Sequence, residues 1–502
     1  MAEFNHRYSI QRPYNRLRAD ENPQQYWVEN CGIQTLENQL ESDRGRIINS
    51  AAVRRLQQKT QVFALERNAA VRSRLTHSLE VQQTGRFITR TIFNDLRKDK
   101  LYPELWPLER AMESLVEMSC LMHDIGNPPF GHFGEAAISH WFAAQLPTFA
   151  PFQRKDLSAE DAALSANLVR ELQNFEGNAQ AIRLISSLLK LNLTYVQAAG
   201  VFKYTRCATD AKPAADTPLS YLQKKPGYYF SEREFVADMQ AAVGMKPGHR
   251  HLLAYIMEAA DDISYCLADM EDAVDKGLLT YTELAKFLKT AFAKQRPKDA
   301  NEPHFGTKSF NDILDDVLKS ADKEAINKDH EFFLKLRVGL THPLVKHAAK
   351  AFIENIEAVS EGRLNRALLE DDSPCHSIIS AFKKVAVDHV FSVPEVETLE
   401  LQGFHIITGL LEHFRPLLAL SRVEFDRLVA GEQRGLLLES RLFKRLPNKH
   451  VKAYLAQREN PPMDAEVWEL YCRCRLMQDM VSGMTDQFAL DEFQTLSVTI
   501  KS

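Results

Sequence analysis

The sequence predicts an all-α protein, and three observations support this prediction. Apolar residues recur at helical spacing in several long stretches, among them residues 251–277, 347–362 and 399–420. Alternation of apolar and polar residues nowhere runs long enough to indicate a strand, and no repeat of about 20 to 50 residues is visible. Clusters of proline, glycine and polar residues, such as 146–161 and 207–220, separate the helical stretches as loops would.

Composition and charge narrow the class of protein. The chain has 502 residues, of which 45% are hydrophobic and 26% are charged, so it can bury a large core. Its formal net charge of −5 argues against binding nucleic acid with the whole surface, although local basic patches remain available. No signal sequence is apparent, and no apolar run reaches the roughly 18 residues of a membrane helix. Seven scattered cysteines do not suggest a disulfide framework. We therefore expect a cytoplasmic protein without a membrane segment.

Four regions are predicted along the chain. Residues 1–40 are polar and irregular, so we expect an N-terminal arm. Residues 41–285 hold most of the chemically active side chains and form the predicted core region. Residues 286–330 are charged and broken by proline and glycine, which predicts an exposed insertion. Helical patterns return in residues 331–502, the predicted C-terminal region.

The first long helix is predicted to begin at Ser42, which together with Asp43 can cap it, and to continue through residue 63. Its basic face includes Arg54 and Arg55. Such a face is usually a solvated surface, but beside a phosphate site it would have a binding role.

One stretch, residues 119–137, concentrates chemically active side chains. The apolar residues at its start predict a buried helix that ends near His123 and Asp124, because the two prolines that follow cannot continue a helix. His132 and Glu135 come after this turn. An isolated His-Asp pair is more often structural than functional, so the pair needs support from elsewhere in the chain.

His77 is a candidate for a further ligand, which would support a functional role of the His123–Asp124 pair. It lies in a predicted helix over residues 68–88, near an inward face that includes Leu75 and Leu79. A histidine in such a position is more often a hydrogen-bonded core residue than a ligand. Together with the His-Asp pair it becomes a candidate third ligand.

A polar ridge marks the helix predicted within residues 251–277, for which Gly277 is the expected stop signal. Asp261, Tyr265 and Asp269 are each four residues apart and therefore share one helix face. Stacked carboxylates repel each other unless a cation or hydroxyl donors share the space. The ridge therefore favours a ligand site over an acidic surface.

The candidates His77, His123, Asp124 and Asp261 form a set of nitrogen and oxygen donors. Such a set suits Mn²⁺, Fe²⁺, Co²⁺, Ni²⁺ or Zn²⁺, and Mg²⁺ less comfortably. Four protein ligands on a six-coordinate ion leave positions for water and a phosphate oxygen, an arrangement typical of phosphoester hydrolysis.

This ordered set resembles the HD superfamily of metal-dependent phosphohydrolases. The motif HDIGNPPFGHFGEAA is preceded by SDRGRIINSAAVRRLQQKTQVF and RLTHS and followed by FEGNAQ, KYTR, KKPGYY, MEAADDISY and SGMTD. This series, which spans nearly the whole chain, is similar to the bacterial deoxyguanosine triphosphate triphosphohydrolases. The resemblance implies an HD-domain helical core with additional helical lobes. It also implies metal-dependent hydrolysis of dGTP, or of other deoxynucleoside triphosphates, to deoxynucleoside and tripolyphosphate, with Mn²⁺ or Mg²⁺ as cofactor.

The resemblance further implies roles for single residues. His132 is the acid/base residue, and Glu135 holds its imidazole ring in one tautomer. Lys203, Tyr204 and Lys225 match positions near the phosphates, with Arg54 and Arg55 as further contributors.

For the sugar we choose Gln61, Tyr265 and Asp269, because Asp269 can accept from a 3′-hydroxyl and a tyrosine ring against C2′ would exclude ribose. For guanine, Glu400 can accept from N1 and N2, and Arg434 and Arg441 can donate to O6 and N7. The resemblance also implies a homo-oligomer, specifically a hexamer. Part of the guanine-binding set can therefore come from a neighbouring subunit.

Two other functions remain open. An HD phosphodiesterase or nucleotidase often has lysine after HDxG, where this chain has Asn127, so the difference favours the triphosphohydrolases. A helical regulator that binds nucleotides or DNA would have a damaged metal set, whereas every ligand position is filled here. The basic runs RVEFDR and RLFKRLPNKHVK could bind single-stranded DNA as an effector, although solvated surface is the usual explanation of such runs.

Overall fold

The computed structural model describes residues 4–14, 23–66, 68–295, 304–305 and 308–500. It is 70% helical with 2% strand, which confirms the prediction of an all-α protein. Within the described residues, no helix combines the length and the apolar character needed to cross a membrane.

The described residues up to Gln295 form twelve α-helices. They are α1 (Val28–Cys31), α2 (Ile33–Ile48), α3 (Ala51–Arg55), α4 (Arg74–Lys98), α5 (Glu109–Met122), α6 (Gly131–Gln145), α7 (Ala159–Leu172), α8 (Gly177–Arg183), α9 (Tyr195–Ala199), α10 (Arg233–Ala242), α11 (Leu252–Asp275) and α12 (Tyr281–Gln295). Two short strands, β1 (Arg206–Cys207) and β2 (Pro226–Tyr228), pair in parallel between α9 and α10.

The second half is also helical. A small antiparallel pair, β3 (His304–Phe305) and β4 (Lys308–Ser309), precedes it. The helices are α13 (Phe310–Lys323), α14 (Lys328–Glu354), α15 (Ile356–Ser360), α16 (Pro374–Ala386), α17 (Pro394–Ala419), α18 (Arg422–Val429), α19 (Leu437–Phe443), α20 (Asn448–Arg458), α21 (Ala465–Ser482) and α22 (Asp486–Ile500). A π-helical turn at Val387–Phe391 joins α16 to the loop before α17.

Two hydrophobic cores organise these helices. The larger core contains the inward faces of α4, α5, α11, α14 and α16, with residues such as Ile88, Leu115 and Ile256 fully buried. The second core contains the inward faces of α6, α7, α17 and α21, with residues such as Phe142 and Leu410 fully buried. The turn that joins α5 to α6 therefore passes from one core to the other.

Helix α21 is buried along its length, and its charges are paired. The carboxylate of Asp479 accepts two hydrogen bonds from Arg183 of α8, both at 2.7 Å. The guanidinium of Arg475 donates to Glu171 of α7 at 2.6 Å. Because removing one partner would leave a buried charge unpaired, these ion pairs fix how α21 packs against α7 and α8.

The predicted start of the first long helix at Ser42 is wrong. Helix α2 begins at Ile33, and Asp43 lies within it, fully buried. Its carboxylate accepts from Arg12 at 2.6 Å and from the Thr194 hydroxyl at 2.6 Å. Asp43 is therefore an internal ion-pair partner for the N-terminal segment, and it looks like a cap in the sequence only because it is a polar residue beside Ser42.

Two predictions of exposure also differ from the structure. Leu79, expected to face inward, has 49% of its surface exposed. Helix α13, in the region expected to be exposed, buries Phe310, Leu314 and Val317. These apolar residues have helical spacing but are separated by charged residues, which hides the pattern in the sequence. The part of that region at 296–303 and 306–307 lies outside the described residues.

The predicted stop of α11 at Gly277 is confirmed. The helix ends at Asp275, and Gly277 has a φ of +74°, the left-handed conformation common after helix ends.

Substitution of Gly403 should destabilise the protein. A Cβ atom on this residue of α17 would lie 2.6 Å from Cγ of Phe130, in the turn between α5 and α6. We expect Gly403→Ala to cost roughly 1–3 kcal/mol through overpacking and to lower the midpoint of thermal unfolding.

Gly45, inside α2, is the matched control, because a Cβ there would meet nothing within 4 Å. Gly45→Ala should raise stability by roughly 0.5–1 kcal/mol, the ordinary helix preference for alanine. Equal effects of the two substitutions would contradict the close packing of α17 against the turn.

Candidate active site

The turn between α5 and α6 is held in an unusual backbone conformation. Phe130 has a φ of +62°, which is costly for a residue with a side chain. Its backbone N–H donates to Oδ1 of Asp486 at 3.1 Å. The ammonium of the buried Lys59 donates to the carbonyl of Asn127 at 2.5 Å and to that of Ser482 at 2.9 Å. These contacts from the C-terminal part of the chain hold the turn in place.

Three of the predicted metal ligands meet at the start of this turn. His77 comes from α4, His123 directly follows α5, and Asp261 comes from α11. One donor atom from each lies within 4.8 Å of the other two. Oδ1 of Asp261 is 3.2 Å from Nε2 of His77 and 3.5 Å from Nε2 of His123. The two imidazole nitrogens therefore face the same carboxylate oxygen.

Local contacts prepare these groups to bind a cation. Nδ1 of His123 lies 2.7 Å from the carbonyl of Cys120, so in the neutral ring it carries the proton and leaves the Nε2 lone pair free. Burial opposes ionisation of Asp261, but a positive charge on His123 and the hydrogen bond from His77 lower its pKa well below the usual range. A bound metal ion would replace the imidazole protons that face Asp261, and two neutral imidazoles with one carboxylate fit a divalent transition-metal ion.

Asp124 lies beside this cluster and has other partners. Its Oδ1 is 3.6 Å from Nε2 of His123 and accepts from the Asn127 amide at 2.7 Å. Its Oδ2 accepts from Arg74 at 2.5 Å. Burial opposes ionisation, yet the charges of His123 and Arg74 lower the pKa of Asp124. It is therefore ionised and oriented next to the cluster.

His132 and Glu135 form a pair on the first turn of α6. Nδ1 of His132 lies 2.8 Å from Oε2 of Glu135, and the His132 side chain is exposed to the cavity. The other carboxylate oxygen accepts from the backbone N–H of Gly177 at 2.8 Å. The hydrogen bond to Glu135 raises the pKa of His132. The imidazolium form is therefore favoured, which suits a group that donates a proton.

A cavity of about 490 Å³ connects these groups, a volume typical of small-molecule sites. The predicted residues that line it are Gln61, His123, Asp124, His132, Glu135, Lys203, Tyr204, Lys225, Asp261, Tyr265 and Glu400. His77 lies behind this surface, fully buried. Arg434 and Arg441 are exposed and do not line the cavity of this chain.

Two lysines in the cavity wall have carboxylate partners. Nζ of Lys203 is 3.5 Å from Glu258, and Nζ of Lys225 is 3.3 Å from Glu176. Burial opposes protonation of both lysines. The nearby negative charges outweigh it and raise the pKa of each. Both ammonium groups are therefore charged at neutral pH and available to an anionic ligand.

Two residues near the cavity have buried side-chain oxygens that are not fully satisfied in the described part of the chain. The side-chain oxygen of Gln61 has no hydrogen-bond donor, and the carboxylate of Asp269 has only a weakly aligned neighbour, the Tyr265 hydroxyl. Asp269 is 1% exposed, and burial raises its pKa to about 7. Buried acceptors without good donors are costly, so a hydroxyl or amine donor from a ligand would be favourable here.

Several residues that line the cavity were not predicted from the sequence. Arg74, paired with Asp124, is three residues before His77 on α4, so its helix spacing from a candidate ligand could have indicated it. Phe391 and Leu399 add an apolar wall next to Glu400. No local pattern distinguishes them from ordinary core residues.

Comparison with known proteins identifies the family of this chain. Residues 74–264, which contain the histidine and aspartate cluster, match the HD domain. The chain is 54% identical over 500 residues to the probable deoxyguanosinetriphosphate triphosphohydrolase of Pseudomonas aeruginosa, covering 99% of both chains. It is 45% identical over 524 residues to the deoxyguanosinetriphosphate triphosphohydrolase of Yersinia enterocolitica, with 98% of each chain covered. The protein of that name from Cronobacter sakazakii is 48% identical over 482 residues, 91% of this chain and 93% of its own.

Identity at this level over nearly the full length of the relatives leaves no substantial region of the chain unmatched. The chain therefore belongs to the deoxyguanosinetriphosphate triphosphohydrolase family and contains an HD domain.

Proposed function

We propose that this chain hydrolyses dGTP to deoxyguanosine and tripolyphosphate. One observation carries the proposal. A single cavity is lined by His123 and Asp261 of the histidine and aspartate cluster, by the His132–Glu135 pair, and by the charged lysines Lys203 and Lys225. The names of the relatives support dGTP as substrate.

The HD domain implies a divalent metal ion, and the donor set in the structure fits one. We propose Mn²⁺ or Mg²⁺, held by His77, His123 and Asp261 with Asp124 as the fourth ligand. Such an ion polarises phosphate oxygens and lowers the pKa of water when bound. Ionisation of Asp261 and Asp124 at neutral pH, which follows from their lowered pKa values, supports this assignment.

The chain's own residues would carry the remaining steps. Lys203, Tyr204 and Lys225 line the cavity where the β- and γ-phosphates would be clamped. His132 would donate a proton to the departing 5′ oxygen, and Glu135 would keep its imidazole oriented and protonated.

The deoxyribose would occupy the region around Tyr265. The carboxylate of Asp269, whose neighbouring donor is the weakly aligned Tyr265 hydroxyl, can accept from a 3′-hydroxyl, and the unpartnered oxygen of Gln61 offers a second acceptor. The Tyr265 ring, which lines the cavity, would leave no space for a 2′-hydroxyl. This combination favours a deoxyribonucleotide over a ribonucleotide.

Guanine recognition is proposed to involve a second copy of the chain. Glu400 lines the cavity beside Phe391 and Leu399 and can accept from N1 and N2 of the base. Arg434 and Arg441 lie outside the cavity of their own chain, which supports a homo-oligomer, by resemblance a hexamer, in which a neighbour supplies them. Exposed basic residues of α18 to α20 would suit single-stranded DNA as an effector.

The identity of the phosphate product tests the reaction class. We expect dGTP incubated with the protein and Mn²⁺ to yield tripolyphosphate in ³¹P NMR spectra. GTP serves as the control substrate and should react far more slowly. Pyrophosphate or orthophosphate as the first product would contradict the proposal.

Asp261→Ala should abolish both metal binding and hydrolysis, because it removes the carboxylate shared by the two histidines. Metal content after dialysis, measured by plasma mass spectrometry, checks the first effect. The matched control is Asp262→Asn at the next position, where the carboxylate pairs with Lys383 at 2.8 Å instead. If Asp261→Ala still bound a stoichiometric amount of Mn²⁺, Asp261 would not be a metal ligand.

His132→Ala should retain the metal but reduce kcat by about 10²–10⁴, the usual contribution of a general acid. Because the acid must be protonated, activity should fall as pH rises through the raised pKa of His132. Glu135→Gln removes the charge that raises this pKa, so its alkaline limb should move to lower pH. A kcat profile unchanged in Glu135→Gln would exclude this role of the pair.

Tyr265→Ala should increase kcat/KM for GTP relative to dGTP by roughly tenfold or more, since the proposed steric barrier to the 2′-hydroxyl is removed. Tyr265→Phe, which keeps the ring, should preserve the discrimination. If both variants discriminate as the parent does, the barrier lies elsewhere.

A further inference from the structure

A second cavity, of about 360 Å³, lies between α3 and the C-terminal helices α20 to α22. It shares no lining residue with the active-site cavity. It is lined by Arg55, Gln58, Phe414, Arg445, Pro447, His450, Met480, Gly483, Met484, Thr485, Phe488 and Glu492. We call it the Arg55 cavity.

Arg55 carries a positive charge that no carboxylate of the described residues neutralises. Its guanidinium makes no hydrogen bond there either, although the side chain is half-buried. Burial, together with the neighbouring charge of Arg54, lowers its pKa. In the described part of the chain, none of its nitrogens is both fully buried and unpartnered, so solvent reaches the guanidinium and an anion from solution can bind it.

His450 adds a second unsatisfied polar group. Its side chain lines the cavity, the residue is 3% exposed, and Nδ1 has no partner in the described residues. Burial lowers the pKa of His450 to about 4, so the ring is neutral at pH 7 and can donate from one nitrogen. The ring lies close to the Arg55 guanidinium, since both are within 3.3 Å of the position a Cβ on Gly483 would take.

The rest of the cavity wall is aromatic and apolar. Phe414, Met480 and Met484 are buried, whereas Phe488 is 54% exposed at the edge. The other arginine, Arg445, is neutralised by a two-point ion pair with Glu492. Among the described residues, the cavity therefore offers Arg55 as a cation without a carboxylate partner, His450 as a neutral imidazole, and an aromatic surface open to solvent.

We propose that the Arg55 cavity binds a 5′-phosphorylated nucleotide, either free or at the end of a DNA strand. The guanidinium of Arg55 receives the phosphate, with His450 beside it, and the base packs on Phe488 and the methionines. A single free cation suits a monophosphate better than the triphosphate that two lysines receive in the active-site cavity.

The position of this cavity places its ligand near the active site. Gly483, Met484 and Thr485 form the link between α21 and α22, and Asp486 follows directly. The Asp486 carboxylate accepts from the backbone N–H of Phe130 and from Thr60. The wall of the Arg55 cavity is therefore adjacent in sequence to the anchor of the active-site turn.

Isothermal titration of the full-length protein with thymidine 5′-monophosphate, without added metal, tests the proposal. Arg55→Gln should weaken thymidylate binding at least tenfold. The matched control is Arg54→Gln, which removes the same charge from an exposed neighbour whose guanidinium donates to the carbonyl of Asn49. Arg54→Gln should change the affinity less than twofold. Thymidylate that binds in the active-site cavity should do so equally in Arg55→Gln and Arg54→Gln, so it does not affect the comparison of the two variants.

Further ligands and one further variant sharpen the result. Thymidine, which lacks the phosphate, should not bind, and Phe488→Ala should weaken thymidylate binding without altering the fold, because Phe488 is exposed. Oligothymidylates with and without a 5′-phosphate distinguish a strand end from a free nucleotide. The proposal is overturned if the parent protein binds neither thymidylate nor the 5′-phosphorylated oligothymidylate. It is also overturned if Arg55→Gln binds thymidylate as tightly as the parent, or if Arg54→Gln weakens thymidylate binding as much as Arg55→Gln does.

Discussion

The carboxylate of Asp486 is the contact on which the arrangement of the active site depends. It accepts hydrogen bonds from the backbone N–H of Phe130 and from the backbone and hydroxyl of Thr60. These bonds hold Phe130 in a left-handed conformation that it would otherwise avoid. The turn they fix separates His123, at the end of α5, from His132, at the start of α6. The distance between the histidine and aspartate cluster and the His132–Glu135 pair is thus set by a residue more than 350 positions away from Phe130 in sequence.

The charges of the site are divided between two sides of the cavity. Carboxylates and imidazoles gather where α4, α5 and α11 meet, while Lys203 and Lys225 lie on the segments around β1 and β2. Each lysine has its own carboxylate neighbour, which keeps it protonated despite burial. A polyphosphate can therefore meet fixed positive charges on one side and a metal ion on the other. This division is what phosphate ester cleavage requires.

The sequence was sufficient to predict the helical class, the end of α11 and the residues of the histidine and aspartate cluster, because each depends on local spacing or on a motif. It failed where a residue's role depends on a distant partner. Asp43 resembles a helix cap until Arg12 and Thr194 are brought to it. Arg74 resembles a solvated arginine until Asp124 lies beside it. Phe391, on the π-helical turn, and Leu399, on α17, line the same cavity wall only in the folded chain, and periodicity cannot reveal it.

The two hydrophobic cores divide the chemistry unequally. All three residues of the metal cluster extend from helices of the larger core, whereas His132 and Glu135 belong to α6, which packs in the second. A substitution that loosens only the second core would therefore disturb His132 and Glu135 while leaving the histidine and aspartate cluster on an intact core. Hydrolysis would then report on both cores, whereas metal content would report on the larger one alone.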